Sequence, residues 1–250
     1  MLIDLHCHSR HSRGCELEPE ATARRAAEMR LDGLCFTDLN TLEGLSEFEA
    51  LRSKVPVKIF SGLEVATDHG HYLCFFPDPG KVPAPAQMWG GQSGRPWPAR
   101  EVVEKVLSMG GAVIAAHPYD RESDYPAGDF IFTLTGLSAV EVYNAGLSSA
   151  ANELAMEAAD HLHLPAVGGS NAHQSLDSVG RVATLFKRQV TNEAELVAAI
   201  KNAEVWPVVV APPPLAENRG GRGERGGPPG RRGGGARRDG NRRGARPPRS

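Results

Sequence analysis

No stretch of this chain approaches the roughly 18 consecutive apolar residues that a membrane-spanning helix needs. Its first residues also lack the basic segment followed by an apolar one that marks a secretory leader. A spanning helix is thereby excluded, and a cytoplasmic location is the expectation. Cysteine is scarce: Cys7, Cys15, Cys35 and Cys74 are the four, none in Cys-x-x-Cys spacing, and they are read as free thiols rather than disulfides. There is no Gly-x-Gly-x-x-Gly after the first apolar run, which removes the signature of a dinucleotide-binding sheet. The last absence is regional. After Leu215 there is no Leu, Ile, Val, Phe, Tyr or Trp, so nothing offsets the entropy of folding there and residues 217–250 are expected to be disordered.

Charge divides the chain at the same place. Residues 217–250 hold eleven Arg and three acids, a net of +8, against −2 for the whole chain, which leaves −10 for residues 1–216. The organisation expected is a folded domain over 1–210 and a Gly/Arg/Pro-rich tail over 211–250. Arg219, Arg225 and Arg232 each precede Gly-Gly, as in RNA-binding segments, although the usual interleaved Phe or Tyr is missing. Arg pairs with phosphate and stacks on bases. RNA or another polyanion is the expected partner of the tail, with a merely solvated low-complexity segment as the alternative.

Within 1–210, short apolar runs alternate with helical patterns. Strands are expected at 2–6, 33–37, 57–64, 71–76, 112–116, 139–143, 165–169, 182–186 and 205–210. Helices are expected from Pro19 to about Arg30, after Thr41 as N-cap, around 102–107 up to Gly110-Gly111, around 154–162, and after Asn192 with Glu195 in capping-box register. The segment 77–98, rich in Pro and Gly, reads as a long surface loop. Strand followed by helix, repeated, predicts a parallel sheet, and with polar residues at many strand ends a (β/α) barrel.

Those strand ends carry the chemistry. His6 and His8 share parity on the first strand, so both imidazoles leave one face, and neutral imidazole is the commonest protein ligand for transition metals. Cys7 points the other way. Thr37-Asp38, Glu64, His117-Pro118 and Asn171-Ala172-His173 end later strands. Each alone has a plain structural explanation: paired surface histidines, a solvated Glu64, a buried and hydrogen-bonded His117. Gathered on the one face where barrel strands terminate, they predict a metal site.

In order, Asp4-Leu-His-Cys-His-Ser, Phe36-Thr-Asp-Leu-Asn-Thr, Gly62-Leu-Glu64, Gly70-His71, Ala116-His117-Pro118, Glu141-Val-Tyr-Asn144 and Gly169-Ser-Asn-Ala-His173 resemble the motifs of the polymerase and histidinol phosphatase (PHP) superfamily of metal-dependent phosphoesterases. The resemblance covers residues 1–200. It implies an α/β fold of the distorted (β/α)7 barrel type and two or three Mn, Fe or Zn ions at the strand C-termini. It also implies one site from His6, His8, Glu64 and Asn171, and a second from Glu64, His71 and His117. His173 would belong to a third.

Three positions depart from that pattern. Arg13 and Asn171 stand where the family usually has Asp, and Leu39 where it has His. A guanidinium repels a cation and Leu cannot bind one, so two ions are expected rather than three. His173 is then free to act as general acid, with Glu64 bridging the ions, and Arg13 could hold a substrate phosphate in the vacated place. His11 and His69 are weaker substitutes. Asn171 keeps a carbonyl ligand but no negative charge. The function expected is metal-dependent phosphoester hydrolysis of a nucleotide, nucleic-acid end or small phosphorylated metabolite. The competing reading is a degenerate barrel that binds nucleic acid without catalysis.

Overall fold

The computed structural model of the chain describes residues 1–90 and 96–210. The tail expected to be disordered lies outside the described residues, as does the middle of the 77–98 segment. Ten strands and six α-helices follow in the order β1 (Leu2–Cys7), α1 (Pro19–Glu28), β2 (Gly33–Phe36), α2 (Leu45–Leu51), β3 (Lys58–Ser61), β4 (Leu63–Thr67), β5 (Gly70–Phe75), α3 (Pro85–Trp89), α4 (Ala99–Ser108), β6 (Ala112–Ala116), β7 (Ala139–Asn144), α5 (Ser149–Leu162), β8 (Ala166–Gly169), β9 (Val182–Phe186), α6 (Glu193–Lys201) and β10 (Val205–Val209). No described helix is long and apolar enough to cross a membrane.

Neither the (β/α) barrel predicted from the alternation nor the distorted (β/α)7 barrel implied by the resemblance forms. The strands make two open five-stranded sheets, ordered β10-β9-β1-β2-β3 and β4-β5-β6-β7-β8. A uniform parallel sheet requires a crossover after every strand, and this chain omits it at a decisive point. Only Asp68 and His69 separate β4 from β5, which leaves room for a hairpin and not a helix, so the pair is antiparallel. Gly70 closes that hairpin at φ +90°, and a Cβ there would meet the Ala127 Cβ at 2.5 Å. The β5–β6, β1–β9 and β9–β10 pairs are antiparallel too. The single strand expected over 57–64 is broken at Gly62, where the chain leaves the first sheet as β3 and enters the second as β4.

The sheets approach each other without closing. Single parallel bridges join Cys7 to Ala172 and Leu39 to Glu64. Around the first, the Asn171 N–H donates to His6 O at 2.8 Å and the His8 N–H to Ala172 O at 3.0 Å. Apolar side chains from both sheets fill the space between them, among them Ile3 and Leu5 of β1, Leu73 and Phe75 of β5 and Ile114 of β6, with Leu196, Val197 and Ile200 of α6 packed on the same cluster. Burying each large side chain contributes about 1.5–3 kcal/mol. α4 and α5 cover the outer face of the second sheet, and α1 and α2 that of the first.

Smaller expectations met local chemistry. Asn192 caps α6, its Oδ1 accepting the Glu195 N–H at 3.0 Å, while Glu195 reaches back to the Thr191 N–H at 2.7 Å. Thr41 does not cap α2. Its hydroxyl accepts the Glu43 N–H at 3.2 Å and the helix starts at Leu45 after Gly44. The 77–98 segment is not a plain surface loop, since it contains α3 and the buried Trp97, whose indole donates to Gly90 O at 2.9 Å.

Candidate metal centre

β1 is buried from Ile3 onward, and its parity does what the sequence implied. The His6 and His8 rings lie 5.3 Å apart, while Cys7 packs among Cys15, Leu17 and Ala23 on the α1 side. The buried Asp4 ties this strand to β8 and the turn that follows. Its carboxylate accepts N–H groups from His6 at 3.2 Å, Ser170 at 2.9 Å and Gly180 at 3.2 Å. Burial outweighs these bonds and pushes the Asp4 carboxyl up to about 6. Gly169 permits the closest approach: a Cβ there would lie 2.4 Å from the His6 Cβ and 2.9 Å from Glu141 Oε1.

Glu64, on β4, is the hub. Its Oε1 lies 2.9 Å from His71 Nδ1, 3.1 Å from His117 Nε2 and 3.5 Å from His6 Nε2, and its Oε2 lies 3.3 Å from His8 Nε2. Two triads therefore share it, His6/His8/Glu64 and Glu64/His71/His117, each with donor atoms within 4.8 Å of one another. Glu64, His6, His8 and His117 are buried and His71 is partly exposed. His117 sits at φ +28° and Asn171 at φ +48°. A non-glycine residue held at positive φ stores strain that a surrounding site must support.

A third buried group, His6/His117/Glu141, satisfies the same spacing, but its hydrogen bonds define another role. Glu141 Oε1 lies 2.9 Å from His6 Nδ1, while Oε2 accepts the His117 N–H and the Asn144 amide, each at 2.9 Å. The carboxylate is occupied by donors and so orients His6 from behind, as outer carboxylates do for metal-binding histidines. Sequence reading assigned Glu141 no role. A detectable signal was present, namely an acid inside the apolar strand Ala139-Val-Glu-Val, where an unpaired charge would be prohibitive.

The donor set fits a cation. With the Nδ1 proton on Glu141, the His6 ring turns a lone pair on Nε2 into the cluster, and that atom is buried with no hydrogen-bond partner. His8 Nε2 faces Asn171 Oδ1 at 3.2 Å as well as Glu64. Without an ion, protons take up the charge. Burial opposes it on His6, but Glu141 and Glu64 outweigh burial and push His6 up to about 10. Burial likewise opposes ionisation of Glu64, yet His71 and His6 hold its carboxyl well below the usual range. His71 is raised against burial by Glu64. For His8 burial wins and lowers the ring to about 3.

The other predicted residues are less tightly gathered. Asn171 joins the first triad through His8. His173 is half-buried with its ring edge-on to His8 at 5.2 Å. Arg13 is exposed on the turn after His8. Leu39 lines a cleft of about 540 Å³ with His71, Asp120, Asp124 and Tyr125. On the other side of the 119–122 loop, Asn171 lines a cavity of about 340 Å³ with Tyr119, Arg121, Leu147, Ser148 and Leu154; Arg121 also had no role in the sequence reading. His11 is engaged by Glu47 at 2.8 Å and His69 stacks on Phe130 at 3.8 Å, so neither joins the cluster.

Known proteins align with these same segments. Residues 4–75 match the family model described as the PHP domain, and residues 149–205 match that described as PHP-associated. An uncharacterized protein of Methanocaldococcus jannaschii is 29% identical over 157 residues, 58% of this chain and 82% of its own length. The 5'-3' exoribonuclease Rnm of Escherichia coli is 38% identical over 69 residues, 27% of this chain and 23% of that enzyme. Among solved structures, a two-domain protein from Bacteroides vulgatus, described as containing a predicted PHP-like metal-dependent phosphoesterase, superposes with a TM-score of 0.64 at 16% identity, covering 83% of this chain and 64% of that one. The first matched segment holds His6, His8, Glu64 and His71 in order along β1, β4 and β5. With that order, the shared hub and the superposition in agreement, residues 4–75 are a match to the PHP domain and the chain has the fold of a PHP-like metal-dependent phosphoesterase.

Proposed function

We propose that this centre hydrolyses phosphate esters with two divalent ions, Mn, Fe or Zn. The carrying observation is the pair of His/His/Glu triads that share Glu64. His6, His8 and Glu64, with Asn171, would hold one ion, and Glu64, His71 and His117 the other. Ions bound there would supply a water acidified toward neutral pH and positive charge against the phosphoryl oxygens. The chain's own groups do the rest. Glu141 holds the His6 proton on Nδ1, and the buried strand ends keep bulk water from the ligands. His173, beside His8 and outside both triads, donates a proton to the leaving oxygen. Neither Leu39 nor Arg13 offers a ligand, which supports two ions rather than three.

A phosphate at a nucleotide or nucleic-acid end is the substrate class we favour, supported by the similarity of part of the chain to an exoribonuclease. The substrate body lies in the cavity that Asn171 shares with Arg121, whose guanidinium would pair with a second phosphate. The test is a screen of metal-loaded protein against mononucleotides, short RNA and generic phosphomonoesters. Turnover that chelation abolishes is the expected result, with Arg121→Ala raising KM about tenfold or more while the metal count stays at two. Two bound ions with no turnover of any phosphoester would overturn the reading.

Asn171→Asp tests the weak point of the first site. Asp tolerates the positive φ of this position and returns a negative charge at nearly constant volume. Metal affinity is expected to rise by about 1–3 kcal/mol, the scale of a charged over a neutral contact. Isothermal titration of both proteins measures it, and equal affinities would remove residue 171 from the ligand set.

On the same reading the Arg/Gly-rich tail binds the nucleic-acid strand. Its +8 charge against −10 for the body should make RNA affinity fall with salt at a slope of roughly −0.7 per phosphate contacted. Deleting residues 211–250 is expected to flatten that slope and leave turnover of a small phosphomonoester unchanged. Fluorescence anisotropy at several salt concentrations decides it, since an unchanged slope would take the tail out of the account.

A further inference from the structure

The two histidines of the first triad are held from behind in different ways. His6 meets a carboxylate directly, whereas His8 Nδ1 lies 2.9 Å from the Ser12 hydroxyl. That hydroxyl in turn lies 2.8 Å from Asp38 Oδ1 and accepts the Leu39 N–H at 2.8 Å. Asp38 also accepts the Ser9 N–H at 2.6 Å and the Ser9 hydroxyl at 2.8 Å. Ser9, Ser12, Asp38 and His8 are all buried, so no bulk water substitutes for any of these partners.

Counting protons along this chain fixes their direction. An ionised carboxylate only accepts, so the single hydroxyl proton of Ser12 goes to Asp38. The backbone N–H of Leu39 can only donate, and it takes one lone pair of the Ser12 oxygen. What remains toward His8 is an acceptor, and because Nε2 also faces only acceptors, Asn171 Oδ1 at 3.2 Å and Glu64 Oε2 at 3.3 Å, a cation that takes the Nε2 side leaves the ring's N–H for Ser12. We infer that Ser12 is a positioning residue that relays Asp38 to His8 and, with an ion bound, holds the ring proton on Nδ1 so that Nε2 serves the metal.

The placement of Ser12 extends the effect beyond one ring. Its N–H donates to Ser9 O at 2.9 Å, which closes the turn immediately after His8. Through Leu39 it also holds the segment that bridges to Glu64. One hydroxyl thus sits between a ligand of the first sheet and the backbone that positions the shared ligand of the second. Ser12 lies between His11, which is engaged by Glu47, and Arg13, which offers no ligand, and the structure gives that turn a use through the residue between them.

This inference rests on the metal-binding reading, and the experiment separates the two. Metal stoichiometry and affinity are measured with Mn or Zn for the full chain, for Ser12→Ala and for Ser12→Thr. Thermal melts are recorded alongside, as are ¹⁵N shifts of the histidine rings in the zinc-loaded wild type. Wild type is expected to take two ions and to show His8 protonated on Nδ1. Ser12→Ala should fold but bind the ion held by His8 about 10–100-fold more weakly while keeping the other, and Ser12→Thr should restore it. A folded Ser12→Ala protein with two ions at wild-type affinity would overturn the inference and leave the metal reading standing. Should Ser12→Ala fail to fold, the ring shifts of the zinc-loaded wild type decide: a His8 proton on Nδ1 supports the relay and one on Nε2 overturns it, while a wild type that binds no ion overturns the metal reading and the relay with it.

Discussion

Glu64→Gln protein is expected to hold neither ion and to have no phosphoesterase activity above background. Loss of an outer hydrogen-bonding partner of a metal ligand weakens binding about 10–100-fold. On the proposed reading Glu64 would be a ligand itself, common to both triads, with one oxygen facing His71, His117 and His6 and the other facing His8. The amide keeps the volume, removes the only negative charge shared by the two sites and offers N–H groups where a lone pair is needed. Both affinities should therefore fall by more than about 100-fold. Elemental analysis after dialysis against Mn or Zn measures this, with melting curves to confirm the fold. A variant that retains one ion would show that the triads bind independently and that Glu64 is not a bridge.

Metal affinity should also climb steeply with pH. A histidine must be neutral to bind a metal, so binding releases whatever proton the ring held. His6 is raised to about 10 in the metal-free protein by Glu141 and Glu64 against the opposing effect of burial. It therefore carries a proton from acid pH to near pH 10, and over that window each unit of pH strengthens the apparent affinity about tenfold. His71, raised by Glu64, adds to the slope at the lower end. His8, lowered to about 3 by burial, adds nothing above pH 4. Competition titrations against a chelator of known affinity at pH 7.0 and 8.5, with calorimetry in buffers of different ionisation enthalpy, would count the released protons. Equal affinities at the two pH values would mean that His6 is already neutral or does not touch the ion.

Much of the centre was readable in the chain because its ligands sit where local rules are strong. The parity of β1 set His6 beside His8 and turned Cys7 away, and neither statement needed tertiary information. His117 was found by its place at a strand end and His71 by resemblance, and both reach Glu64. Glu141 was missed because its role lies in what it accepts, three donors from β1, β7 and the turn after β6, and sequence order does not display partners. Ser12 was hidden in the same way, and Asp38 was read as a strand-end polar residue without its partners. The barrel failed for a different reason. A strand pattern says that a run is extended, not which way its neighbour runs, and a two-residue link after β4 reversed the next strand. The break at Gly62 was invisible because the run 57–64 is continuously compatible with a strand, and only the turn from one sheet to the other divides it.

The gap between the two sheets separates the candidate sites in a way their matching ligand types conceal. His6 belongs to the first sheet, His8 directly follows its strand β1, and Glu64 belongs to the second, so one triad straddles the gap. His71 and Glu64 lie on adjacent strands of the second sheet and His117 directly follows a third, so the other triad is carried by a single sheet. A breathing motion of the sheets would stretch the first set of ligands and leave the second unchanged. On the proposed two-ion reading the straddling site would act as a calliper whose opening follows ionic radius, and the other as a fixed gauge. Exchanging Zn for the larger Mn should accordingly be registered across the Cys7–Ala172 and Leu39–Glu64 bridges, and only faintly along β5 and β6.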